Sequence, residues 1–463
     1  MSSTFNIPRL VVAGISSGIG KTTFTVGLVG ALRARGLKVS VFKCGPDYLD
    51  PTYHARAAGT TSHNLDGWMM GEEAVKRTFA RVSKDADIAI IEGVMGLFDS
   101  ASVRLEEGST AEIAKWLQAP VLIVIDASGM ARTIAAIAHG FAGFDPDLNL
   151  AGVIANFVGS RSHLQLLRDA LDRPPLLGGM PKNSDRKFPE RHLGLHTADR
   201  DSISERLLAQ WADIVHEWCD LDSIISVARQ APSMDFSAGP QLTAYQPKCR
   251  IGVALDEAFH FYYDDNLRQL ENAGAELLCF SPIHDRHLPS VDGLYLGGGY
   301  PEVYAEQLAE NVSMRREVQR FARDGRTIYA ECGGLMYLCT SLRTLDGTSY
   351  PMSEVLSGRT AMCDRLQALG YVEVETVRDS FLGPAGIRFR GHQFRYSNLE
   401  IDDNSITKAY AITRWRGNGL LMEGYQVQHV LASYVHAHWA SNPAIPLSLV
   451  ETCAKDTGSH LRK

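Results

Sequence analysis

The run Gly14-Ile15-Ser16-Ser17-Gly18-Ile19-Gly20-Lys21-Thr22-Thr23 constrains this chain more than any other segment, because an apolar strand-like run over residues 9–13 enters it and a helix-period stretch over 21–35 leaves it. Strand, Gly-rich turn, Lys-Thr and helix N-terminus together supply what a nucleoside triphosphate needs: backbone N–H groups facing the phosphates, an ammonium on the terminal phosphates and a hydroxyl for Mg²⁺. The expected nucleotide-binding residues are therefore Gly18, Gly20, Lys21, Thr22 and Thr23, with Thr22 also a metal ligand. Gly14 stands one residue further back than in the usual GxxxxGK[ST] spacing. A glycine turn that binds nothing is the plainer alternative, but it does not account for the Lys-Thr pair at the start of a helix.

Residues 8–160 continue as short β-branched runs (38–42, 88–92, 121–126, 151–157) alternating with helical stretches (110–117, 131–140). Such alternation predicts an α/β fold with a mostly parallel sheet covered by helices on both faces. Two acidic clusters follow successive strands: Asp47 and Asp50 within 42–51, and Glu92 and Asp99 within 92–99. At the carboxyl edge of a parallel sheet they would flank the glycine turn, placed to hold a metal ion or orient a carboxylate nucleophile.

The 463 residues carry 46 Lys+Arg against 53 Asp+Glu, a net charge of −7 without a basic stripe, which argues against nucleic acid or an anionic membrane as the main partner. Apolar runs fall well short of the ~20 residues of a membrane helix, and the first nine residues lack the apolar stretch of a signal peptide, so the expectation is a cytoplasmic protein. Eight scattered cysteines with no CxxC indicate neither a disulfide framework nor a zinc site. Periodicity fades between residues 226 and 247, which predicts a first domain over 1–228, a linker over 229–248 and a second domain over 249–463. The second domain resumes an α/β pattern (strands 250–255, 276–280, 293–297 and 326–331; helices 264–273, 315–324 and 334–342), then lengthens into alternating strands at 371–377 and 387–399.

Within it, a predicted strand ends in Glu331-Cys332-Gly333-Gly334-Leu335 and a helix follows. A tight strand-to-helix turn lifts a nucleophile above the sheet and leaves N–H groups to receive an oxyanion, and the helix terminus favours thiolate. Gly333 and the upstream turn Gly297-Gly298-Gly299 are the expected oxyanion donors, with Gly298 and Gly299 on a second strand end. The thiol needs an imidazole; His436 and His438 point the same way if they lie on a strand, and either fits the role of base. Cys339, on the same predicted helix, reads as core.

The segments 17–23, 42–51, Asn64-Leu65-Asp66, 92–99, Gly108-Ser109-Thr110-Ala111, 189–194, Asp256-Glu257-Ala258-Phe259, 297–302, 330–338, Gly391-His392 and Tyr434-Val435-His436, in that order, resemble the cobyrinic and hydrogenobyrinic acid a,c-diamide synthase family over nearly the whole chain. The resemblance implies a P-loop domain like that of dethiobiotin synthetase, joined to a class I glutamine amidotransferase domain of flavodoxin-like α/β fold. It further implies that Cys332, activated by His436, releases ammonia from glutamine, and that a substrate carboxylate activated by ATP captures it as an amide. On that basis Thr22 and Glu92, helped by Asp47, hold Mg²⁺; Asp50 and Asp99 organise the substrate carboxylate; Tyr48 and Leu49 line the macrocycle; Asn156 reads adenine. A homodimer is implied as well. Ammonia is mostly protonated at neutral pH, which points to a shielded internal route for it.

Four positions depart from the family pattern: Gly67 for Pro, Ser100 for Gly, Phe157 for Arg and Arg395 for His. His438 stands where many class I amidotransferases have Glu, which predicts a Cys–His dyad rather than a triad. Relatives that amidate other acids, such as nickel-sirohydrochlorin, leave the substrate open. A P-loop switch ATPase carrying a non-catalytic second domain is the alternative of a different class.

Overall fold

A computed structural model describes residues 2–100, 105–182, 204–237, 247–403, 405–415 and 419–460; the 189–194 motif lies outside them. The chain divides into two compact units, Met1–Gly239 and Pro240–Lys463.

In the first unit, seven parallel strands stand in the order Ser62–Leu65, Val39–Cys44, Ile88–Glu92, Arg9–Gly14, Val121–Asp126, Leu150–Val158 and Leu176–Pro181. The central strands are buried at every position, so no polar alternation is needed to place them. The outer strands Ser62–Leu65 and Leu176–Pro181 have no place among the expected strands, being short or interrupted by Gly and Pro. Helix Lys21–Ala34 packs closely on helix Glu205–Trp218: a Cβ on Gly27 would lie 2.7 Å from the Trp211 carbonyl oxygen. Ser109 caps helix Thr110–Trp116 by accepting the Glu112 N–H at 3.0 Å, while Glu112 reaches back to the Gly108 N–H at 2.8 Å.

The expected linker is partly structure. Helix Leu221–Arg229 ends inside it, and strand Met234–Ser237 pairs antiparallel with Ser2–Phe5. Met234 is buried and Phe236 meets Phe5 edge to face, so a run too short to show period-2 alternation is fixed by its packing. Arg9 ties the same region down. Its guanidinium is fully buried and donates to the carbonyls of Leu117 (2.6 Å), Ile7 (3.1 Å) and Pro232 (2.5 Å), and burial lowers its pKa to about 10.

The second unit carries a ten-stranded sheet in the order Ala275–Phe280, Cys249–Ala254, Gly293–Leu296, Thr327–Glu331, Val430–Ser433, Leu420–Val427, Thr407–Arg414, Ala368–Thr376, Arg388–Arg395 and His436–His438. The first five strands are parallel and the rest antiparallel. The sheet curls, for Ala437 on its last strand donates its N–H to Glu331 on its fourth at 3.1 Å. The expected helix 334–342 is only Gly333–Leu338; the chain then turns into strand Cys339–Arg343 of a separate four-stranded sheet, where the Leu342, Thr360 and Leu356 side chains are buried. Cys339 is therefore a buried strand residue, not a helical one. The long strand expected over 387–399 breaks at Tyr396 into Arg388–Arg395 and Ser397–Ile401, which belong to different sheets.

Candidate functional site

In the first unit, Gly18 (φ 77°) and Gly20 (φ 89°) take the left-handed conformation that the turn into helix Lys21–Ala34 requires. Lys21 folds back over its own loop and donates to the carbonyls of Ser16 (2.8 Å) and Met95 (2.6 Å). Burial, then the neighbouring Lys43, lowers its pKa to about 8. Thr22 Oγ1 donates to Glu92 Oε1 at 2.8 Å and lies 3.3 Å from Asp50 Oδ2, while Thr23 is the next residue of the helix.

Between those carboxylates lies a lysine for which the sequence reading gave no role. Lys43 Nζ stands 2.7 Å from Asp50 Oδ2, 2.8 Å from Glu92 Oε1 and 3.1 Å from the Gly93 carbonyl oxygen, with its side chain buried. His54, on helix Asp50–Ala58, closes the cluster with Nε2 at 2.5 Å from Glu92 Oε2. Burial alone would raise the Glu92 pKa, but Lys43 and His54 outweigh it and hold it well below the carboxylate range. For Lys43 burial works downward, and Asp50 and Glu92 reverse it. A lysine inside a short β-branched strand that is buried at every position is the signal for such a cluster, since a buried ammonium needs partners.

The other expected residues fall differently. Asp47 accepts the N–H groups of Leu49 (2.8 Å) and Asp50 (3.2 Å), so it caps its own turn, and Asp50 is the acid beside Thr22. Burial and then the Asp50 charge push Asp47 up to about 6. Asp99 is exposed and accepts the Gly96 N–H at 2.9 Å. Leu49 is packed inside at 4 % exposure, whereas Tyr48, the other residue expected to line a macrocycle, is half-buried. Asn156 donates Nδ2 to the Ile19 carbonyl at 2.6 Å, and a Cβ on Gly20 would strike that amide. Its amide nitrogen thus braces the loop.

In the second unit, Cys332 sits at φ 46° and ψ −100°, a strained conformation for a residue with a Cβ and the one an elbow imposes on its nucleophile. The turn is held by the Cys332 N–H to the Ser433 carbonyl (2.7 Å) and the Gly334 N–H to the Gly297 carbonyl (2.9 Å). A Cβ on Gly333 would lie 3.1 Å from Gly299 N and 3.4 Å from Gly298 C, so the two glycine turns expected to donate to an oxyanion meet here. A Cβ on Gly298 would strike His436 Cε1. Gly298 thus has Gly333 on one side and the imidazole on the other.

The thiol is not a resting thiolate. Burial, then the Glu302 charge, pushes the Cys332 pKa up to about 12, and the Gly333 N–H at the start of a six-residue helix offsets only part of this. Burial takes His436 down to about 3, so at rest the pair is neutral thiol and neutral imidazole. His436 stacks on His392 with ring centroids 4.9 Å apart, and its Nδ1 lies 4.0 Å from Glu331 Oε2. His438 lies on the same short strand, but its Nδ1 accepts the Ala440 N–H at 3.3 Å, which turns it into its own local bend. Glu331 was passed over in the sequence; an acid ending a buried strand one residue before the thiol was the available sign.

A Cβ on Gly334 would collide with the Leu296 carbonyl oxygen. Gly334→Ala is expected to lower stability by about 1–3 kcal/mol and to disturb the elbow. Gly143→Ala, in a helix with open space around it, should be neutral or slightly stabilising. Equal melting shifts in the two variants would contradict this packing argument.

Residues 10–195 match the CobQ/CobB/MinD/ParA nucleotide binding domain family, and residues 250–444 match the CobB/CobQ-like glutamine amidotransferase domain family. A cobyrinate a,c-diamide synthase from Leptospira interrogans is 50% identical over 450 residues, covering 97% of this chain and 99% of the relative. That of Syntrophotalea carbinolica is 49% identical over 452 residues (96% and 98% covered). That of Dehalococcoides mccartyi is 41% identical over 457 residues (96% and 98% covered). The chain belongs to the cobyrinate a,c-diamide synthase family. As a member of that family it is an ATP-dependent, glutamine-hydrolysing ligase of the cobalamin-forming type, built from a P-loop nucleotide-binding domain and an amidotransferase domain of α/β class. Among the described residues no helix is long and apolar enough to cross a membrane.

Proposed function

We propose that this chain converts the a and c side-chain carboxylates of cobyrinic or hydrogenobyrinic acid to carboxamides, using ATP and the ammonia of glutamine. The observation that carries this reading is that one chain holds both a Gly-rich turn backed by Thr22, Asp50 and Glu92 and a strained elbow at Cys332 whose Gly333 abuts the Gly298 turn, which in turn abuts His436.

In the second unit the Cys332 sulfur attacks the glutamine side-chain amide, the Gly298, Gly299 and Gly333 amides receive the oxyanion, and His436 carries the thiol proton to the departing ammonia. Water then releases glutamate and restores the thiol. In the first unit a substrate carboxylate oxygen attacks the γ-phosphorus of ATP and ADP leaves. Ammonia displaces phosphate from the resulting acyl phosphate, losing a proton as the amide forms. Gly18, Gly20, Lys21 and Thr23 hold the phosphates, and Asp50, with Asp99 at the rim, orients the carboxylate beside Tyr48.

Thr22 Oγ1 lies 2.8 Å from Glu92 Oε1 and 3.3 Å from Asp50 Oδ2, with Lys43 Nζ on the same two carboxylate oxygens; a hard, all-oxygen set of this kind suits Mg²⁺, with Asp47 capping the turn beside it. When bound, the ion would neutralise phosphate charge during transfer. Lys43 stands between the two carboxylates, 2.7 Å from Asp50 and 2.8 Å from Glu92. A cytoplasmic homodimer completes the reading.

Product mass analysis tests it. With ATP, Mg²⁺ and glutamine, cobyrinic or hydrogenobyrinic acid should show two carboxyl-to-carboxamide conversions, and nickel-sirohydrochlorin none. Amidation of nickel-sirohydrochlorin alone, or of none of these acids, would refute the assignment.

A further inference from the structure

We propose that Glu331 is the positioning residue of the thiol site, its carboxylate orienting His436 and answering the charge that the imidazole takes up when Cys332 gives up its proton. The proposal rests on the glutaminase reading of Cys332 given above. It departs from a Cys–His dyad and places the acid one residue before the nucleophile instead of two residues beyond the histidine.

The Glu331 side chain is 1 % exposed and tied on several sides. Oε1 accepts from Tyr329 Oη at 2.8 Å and from the Ala437 N–H at 3.1 Å; Oε2 accepts from Tyr295 Oη at 3.1 Å and faces His436 Nδ1 at 4.0 Å. The Ala437 contact matters because it fixes the backbone from which the imidazole hangs. On other sides the ring is bounded by the stacked His392 and by Gly298, where a Cβ would strike Cε1. Ring orientation is therefore set by strand Thr327–Glu331, strand Arg388–Arg395 and the Gly298 turn together. His438 takes no part, its Nδ1 engaged by Ala440 and its ring against Tyr263 at 4.7 Å.

The chemical step then reads in full. As the Cys332 sulfur bonds to the amide carbon, its proton passes to the His436 nitrogen that does not face Glu331. The imidazolium is held opposite the carboxylate until the carbon–nitrogen bond breaks and the proton leaves with ammonia. In its ionised form Glu331 orients the ring without taking the thiol proton itself.

Several titratable groups face this pair: Tyr295, Tyr329, Tyr262 and Tyr410 around Glu331, His392 beside His436, and Glu302 and Arg395 near Cys332. Burial first of all moves the tyrosines well above their usual range and His392 and His436 below theirs. Burial also raises Glu331 and Glu302, each to about 7, so these two acids change charge near neutrality. Their effects have opposite signs. Ionised Glu331 favours the imidazolium and raises turnover as pH increases, whereas ionised Glu302 disfavours thiolate and lowers it.

The test is glutamate release from glutamine by the full chain, as kcat and KM between about pH 5.5 and 8.5. Wild type should show kcat rising through a group near 7. Glu331→Gln should lower kcat by roughly 10–100-fold with little change in KM, and should lose the rising limb. Glu331→Asp should recover part of the rate and the limb. Wild-type kcat with an unchanged pH profile in Glu331→Gln, or an effect confined to KM, overturns the proposal. If Glu331→Gln does not fold, Glu331→Asp decides: a wild-type kcat with an unchanged pH profile in that variant overturns the proposal equally. Cys332→Ser run in parallel separates the two layers. Glutaminase activity surviving there sinks the underlying reading; its loss beside an unaffected Glu331→Gln sinks only the role of Glu331.

Discussion

Replacing Lys43 by methionine is expected to destabilise the first unit by about 3–5 kcal/mol and to abolish amide synthesis. Methionine keeps most of the length and removes the charge, which leaves Asp50 and Glu92 buried, adjacent and without the ammonium between them. His54 and Thr22 still reach Glu92, yet neither supplies a fixed positive charge to Asp50. The pH dependence has a definite sign. Because Glu92 is held below its usual pKa in the folded chain, it contributes stability above the ordinary carboxylate pKa and loses it as pH falls further. The gap between wild type and Lys43→Met should thus be widest near neutrality and narrow in acid. Hydrogen exchange of first-unit amides, read by mass spectrometry, measures it without requiring the two units to unfold together. A difference below about 1 kcal/mol at neutral pH would show that the carboxylates are not the groups Lys43 stabilises.

Cys332→Ser should cut glutamine-dependent amidation on the order of 10³-fold or more while amidation with high ammonia continues. Serine fits the same strained turn, and the hydrogen bonds that hold it come from backbone atoms. What changes is acidity: the hydroxyl is a poorer proton donor than a thiol, and burial already lowers the imidazole that must accept the proton to about 3. Because ammonia enters after the glutaminase step, the synthetase half should keep its rate. Equal losses with both nitrogen sources would mean that Cys332 supports structure rather than nitrogen release.

The features most legible in the sequence were those built from local chemistry. The Gly20-Lys21-Thr22 turn and the Cys332 elbow each follow from a strand end, a small turn and a helix start within a few residues. Long-range pairing was harder to see. Lys43 and His54 matter because Val39–Cys44 and Ile88–Glu92 are adjacent strands, which no local pattern states. Glu331 meets Ala437 because a ten-stranded sheet curls, again a fact of register. Desolvation was the other hidden quantity. The helix terminus suggested a thiolate at Cys332, and burial reversed that, just as Asp47 proved to cap its own turn while Asp50 reached Thr22. Helix Gly333–Leu338 ended early because Cys339–Arg343 finds a parallel partner in strand Leu356–Met362.

The buried guanidinium of Arg9 bears on how the N-terminal half can be handled by itself. One of its three carbonyl partners belongs to Pro232, well past residue 195 where the nucleotide-binding family match stops. A fragment that starts at residue 1 and stops at 195 would also lack helix Glu205–Trp218, which covers Lys21–Ala34, and the strand that pairs with Ser2–Phe5. Such a fragment should precipitate or melt early, and a soluble version should run to at least Ser237.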